Sequence, residues 1–73
     1  MKRTVIVQRT GESSTGTPHG LLIEDDKDGI RFTVVGADGQ KRHAAVILPD
    51  LATATMVEAL AGHLKTNERW RMA

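Results

Sequence analysis

The residues in this sequence best suited to chemistry are an acidic run, three histidines and a cluster of hydroxyls. Glu24, Asp26, Asp28 and Gly29 fall at the first, third, fifth and sixth places of a calcium-binding loop. The twelfth place, where such a loop needs a bidentate glutamate, is Val35, and the flanks read as strands and not helices. The run is therefore a solvated hairpin turn. His19, His43 and His63 lack the i, i+4 spacing that sets two imidazoles on one helix face, so no metal site is expected. The Ser13-Ser14-Thr15 hydroxyls have no partner motif that would bring a base within hydrogen-bond reach, which a nucleophile requires. The chain has no cysteine, which excludes a thiol nucleophile, a Cys-ligated zinc and a disulfide framework. No catalysis, no cofactor and no small-molecule substrate are expected.

Basic residues suggest binding instead. Lys2 and Arg3 open the chain, Lys41 and Arg42 precede an apolar run, and Lys65, Arg69 and Arg71 gather around Trp70. If the strand ends meet, Lys41, Arg42, Arg69, Trp70 and Arg71 form a patch that could neutralise phosphates while the indole stacks on a base. The competing reading folds Trp70 back over the sheet edge or the helix end, because Phe32 and Trp70 are the only bulky packing units available. A net charge of +1 is too small to attract nucleic acid or anionic lipid as a whole, so any electrostatic contact is local.

The elements that must position these residues follow from hydrophobic periodicity. Residues 4–8 (Thr-Val-Ile-Val-Gln) are rich in β-branched side chains and predict a strand. Residues 9–20, rich in Gly, Ser, Thr, Glu and Pro, predict a long loop beside it. Residues 21–24 form a second strand, 25–29 a turn, and 30–35 a third strand with Ile30, Phe32 and Val34 on one face. The Asp38-Gly39 pair suits a primed turn into a fourth strand over 40–48, which Pro49 stops. A helix then starts at a Thr55-x-x-Glu58 capping box, or up to five residues earlier if Asp50 is the cap. Its stripe of Val57, Leu60, Ala61 and Leu64 is expected to lie on the sheet. The predicted fold is α+β, a four-stranded antiparallel sheet with one C-terminal helix (ββββα). Its predicted core is Val5, Val7, Leu21, Ile23, Ile30, Phe32, Val34, Val46, Leu48, Val57, Leu60, Ala61 and Leu64.

Seventy-three residues suffice for one small domain, 1–73, which at this size buries only about 60% of its unfolded surface. The 26% charged and 40% hydrophobic fractions are those of a folded soluble domain, here expected to be monomeric, and not of a disordered tail. The longest apolar run, 44–48, is far too short for a membrane span or a signal peptide, so a cytoplasmic location is expected.

Three resemblances bear on function. Three strands followed by a helix entered at Thr55, Glu58 and Ala59 are similar, over about half the chain, to the arm-type DNA-binding domains of phage integrases. That likeness implies a small nucleic-acid-binding adaptor. Residues 1–7, Leu48-Pro49-Asp50-Leu51 and Glu58-Ala59-Leu60 resemble the HicB antitoxin fold, in which the Pro-Asp-Leu segment follows the first strand much sooner. The whole-chain plan, a cysteine-free 73-residue chain of four strands and a C-terminal helix, resembles the small RNA polymerase inhibitors of lytic Xanthomonas phages. It implies a protein that binds the β′ subunit of bacterial RNA polymerase, blocks promoter opening and lets transcription pass terminators.

The expected contact surface is the first strand with its basic start: Lys2, Arg3, Thr4, Val5, Ile6, Val7 and Arg9. A strand at a sheet edge offers unpaired backbone groups to a partner. With Val5 and Val7 inward, Ile6 points outward as an apolar anchor.

Overall fold

The computed structural model describes residues 3–67. Four strands, β1 (Thr4–Glu12), β2 (Pro18–Asp26), β3 (Gly29–Gly36) and β4 (Arg42–Leu48), run antiparallel in the order β1-β2-β3-β4 and lead into helix α1 (Asp50–Asn67). The ββββα layout is the one the periodicity predicts. Lys2, Arg69, Trp70 and Arg71 lie outside the described residues.

The long loop expected over 9–20 is instead the tip of a hairpin. Arg9 through Glu12 continue β1, and Pro18 through Gly20 begin β2, so that Glu12 faces Pro18. Only residues 13–17 turn. The Ser13 N–H donates to Thr17 O at 2.8 Å, the Gly16 N–H to Ser13 O at 2.9 Å, and the Thr17 N–H to Ser13 Oγ at 3.1 Å. Gly16 takes a positive φ of 86°, which a residue without Cβ adopts at no steric cost. Polar composition suggested a loop, yet an edge strand with both faces near solvent tolerates that same composition.

The β3–β4 turn falls on Gly36-Ala37-Asp38-Gly39, around the Asp-Gly pair the sequence marks. The Gly39 N–H donates to Gly36 O, which centres the turn on Ala37 and Asp38, and the Gly36 N–H donates to Lys41 O to close a wider loop. Asp38 Oδ1 accepts the Gln40 and Lys41 amides at 2.9 and 3.3 Å, organising the turn through its own side chain. The fourth strand therefore begins at Arg42 and not at Gln40.

Helix α1 starts at Asp50, the earlier of the two starts the sequence allows. Thr55 is not its cap: its hydroxyl donates to Leu51 O at 3.0 Å, inside the helix. The helix barely touches the sheet, meeting only β3 to any extent. None of its residues is buried, and Val57 and Leu60 are each 55% exposed. The expected helix-on-sheet layer is absent from the described residues.

The core consequently lies on the other face of the sheet from the one predicted. Ile23, Phe32, Leu48, Ile30 and Val7 are half-buried, while Leu21, Val34, Val46 and Val5 are exposed. The residues that are closed off are Leu22, Glu24, Thr33 and Val35, the last with no exposure at all. Register explains how they meet: Leu22 faces Thr33, and Gly20 faces Val35. A Cβ on Gly20 would sit 2.9 Å from Val35 Cγ2, so the missing side chain leaves the space that Val35 fills. Long side chains close the face in place of a helix, as the ion pairs of the site make plain.

Candidate functional site

Glu24 and Asp26 sit two residues apart on β2 and so project from the same face of the sheet. Arg31 faces Glu24 across the β2–β3 pair, because the turn at Lys27-Asp28 fixes Asp26 opposite Gly29. Its Nε donates to Asp26 Oδ2 at 3.1 Å. Two further arginines arrive from the outer strands. Arg3, just before β1, places Nε 3.6 Å from Glu24 Oε1 and Nη1 3.9 Å from Asp26 Oδ2. Arg42, at the start of β4, brings Nη1 to 3.4 Å from Glu24 Oε1. To reach β2 from β4 its side chain crosses β3. Three guanidinium groups thus share two carboxylates whose side chains are only 7% and 8% exposed.

This cluster was not foreseen as a unit. Arg3, expected on the contact strand, and Arg42, expected in the basic patch, converge on one carboxylate. The signal that could have revealed it is the hairpin register: acids at 24 and 26 stand against an arginine at 31 once the turn is placed at 27–28. Asp26 is held below the usual carboxylate range, chiefly by the Asp28 N–H that donates to Oδ1 at 3.2 Å and next by the Arg31 hydrogen bond.

The β1 edge carries the rest of the expected contact residues. β1 pairs on one side only, with β2, and its register slips between Val5 and Val7. Val5 therefore faces Glu24 whereas Val7 faces Ile23, on the opposite side of the sheet. The expectation that both point into one core is corrected by this bulge. Val5 is 55% and Ile6 54% exposed, so Ile6 is not buried under a loop. Thr4 and Arg9 are exposed as well. Arg9 donates from Nη1 to Gln8 O at 2.8 Å and has no carboxylate within ion-pair distance among the described residues.

Two open grooves adjoin this strand. One of about 600 Å³ is lined by Arg3, Thr4, Asp25, Asp26, Lys27, Asp28, Arg31 and Ile47. The other, about 550 Å³, runs from Arg9 to Ser13 on β1 and its turn and is floored by Leu21 and Val34. Lys41 is exposed in the β3–β4 turn. His19 and His43 place their ring centroids 5.0 Å apart, and His19 Nδ1 donates to Thr17 O. Among the described residues no group of three or more His, Cys, Asp or Glu side chains could hold a metal ion. Nor is any described helix long and apolar enough to cross a membrane.

Comparison with protein-family models, curated proteins and solved structures finds no match to this chain.

Proposed function

We propose that this chain is a protein-binding module that engages bacterial RNA polymerase and inhibits transcription initiation, with read-through of terminators as a second effect. The observation that carries the binding role is β1: an edge strand whose bulge leaves Val5 and Ile6 more than half exposed. Edge strands offer backbone N–H and C=O groups to an extended partner segment, and flanking apolar side chains then supply the anchors. The polymerase as partner rests on the whole-chain resemblance to the phage inhibitors.

The rival reading, a DNA-binding domain of the integrase-arm type, is weakened by the ion pairs. Arg42, one of the cations it would need, stands 3.4 Å from Glu24 Oε1, which lowers the charge available to phosphates. Affinity capture from a bacterial lysate, followed by mass spectrometry, tests the leading reading. Recovery of β′ that weakens when Ile6 is changed to Ala, with helix and sheet content unchanged by circular dichroism, is the expected result. Recovery of no polymerase subunit overturns it. DNA binding that falls steeply with salt would favour the rival.

A further inference from the structure

We infer that the segment accepted by the β1 edge is an extended peptide with an apolar centre and acidic side chains toward its ends. This rests on the first-strand contact proposed above and specifies the chemistry of its partner.

The edge has a charge pattern of its own. Arg3 precedes β1 and Arg9 lies six positions later, with Thr4, Val5, Ile6, Val7 and Gln8 between them and no acid among these. In strand geometry that interval spans about 20 Å, the reach of an added strand of about seven residues. Arg9 is exposed and has no carboxylate partner among the described residues. Arg3 is 38% exposed, and both its ion contacts are long, at 3.6 and 3.9 Å. A guanidinium has five N–H donors, and such separations leave most of Arg3's donors for another acceptor.

Each arginine also borders a groove, Arg3 one and Arg9 the other, so side chains of an added strand have room at both ends. Opposed residues on paired strands stand within about 5.5 Å, close enough for a carboxylate on the incoming strand to meet each cation. Val5 and Ile6 occupy the middle, where an apolar side chain is the matching partner. A nucleic acid strand would satisfy the cations but has no alternating amide groups to pair with the edge.

The test uses a synthetic peptide of about seven residues, the length that spans the interval, with glutamates at both ends and valine and isoleucine between. Its binding is followed through the backbone amide resonances of the isotope-labelled chain. The expected result is a set of shifts concentrated in β1, weakened by added salt and roughly fivefold or more by Arg9→Glu, which disturbs no ion pair among the described residues. The amide spectrum of free Arg9→Glu reports directly whether the fold is kept, and Arg9→Lys should retain most of the affinity. Equal binding by the peptide with glutamine in place of glutamate would leave the edge contact standing and overturn the acidic pattern. Absence of β1 shifts with either peptide would remove both. A short single-stranded DNA that shifts β1 when the acidic peptide does not would overturn the inference in favour of nucleic acid.

Discussion

Single side chains decide what closes this sheet. Thr33 is 2% exposed, and its Oγ1 has no hydrogen-bond partner among the described residues, a position where an isosteric methyl would suit the surroundings better. Thr33→Val is expected to be neutral or to stabilise by up to about 1 kcal/mol, read from urea unfolding. The carboxylates set the acid limit. Asp26 and Asp38 are both held below the ordinary carboxylate range, Asp26 first by the Asp28 amide and then by Arg31, Asp38 by the Gln40 and Lys41 amides. A depressed folded-state pKa adds stability that is fully present above the unfolded value and is lost as pH falls toward the folded one. Stability should therefore hold steady above about pH 5 and decline below about pH 4. In Asp26→Asn the decline should be shallower, since that variant has one fewer such group to protonate. An unchanged slope in a pH series of urea midpoints would show that Asp26 takes no part.

Among the elements, the start of β3 is the tightest point. Gly29 has φ at 142°, and a Cβ there would run into the Leu48 carbonyl at the end of β4. Gly29→Ala should cost roughly 1–3 kcal/mol, by backbone strain and by pushing β3 from β4. Val35 and Leu60 offer a contrast that locates the core. Val35→Ala should destabilise by roughly 1–3 kcal/mol, whereas Leu60→Ala on the exposed helix should stay within about 0.5 kcal/mol. Comparable losses at both positions would mean that the helix carries more of the fold than its contacts indicate. These elements were legible in the sequence to different degrees. Alternation puts Ile30, Phe32 and Val34 on one face of β3, but that face is not the closed one, because alternation cannot say whether anything covers it. The face that is closed reads as polar in sequence, with Glu24, Arg31 and Thr33, and is sealed by arginines arriving from strands distant along the chain. At the β1 edge the position was legible and the bulge was not, because Val5-Ile6-Val7 is uniformly β-branched and gives no signal of which residue is the extra one.

At the scale of the whole molecule, a single sheet with a helix standing off it is less compact than its length allows. The radius of gyration is 13.7 Å, against about 11 Å for a compact chain of this size. Its accessible surface of 5919 Å² exceeds by about 1500 Å² that of a typical folded monomer of the same mass. Leu21, Val34, Val46, Leu51, Val57 and Leu60 already meet solvent in the folded chain. Unfolding such a molecule hydrates little additional hydrocarbon, and that hydration is what gives denaturation its heat-capacity step. An ordinary chain of this length would show a step of about 1 kcal/mol/K; scanning calorimetry on this one should find distinctly less. With so small a step, enthalpy and entropy of unfolding drift little with temperature, and the stability curve becomes broad and shallow. A protein built this way would change its folded fraction only gradually between refrigeration and warm growth conditions, and cold would do little to loosen it.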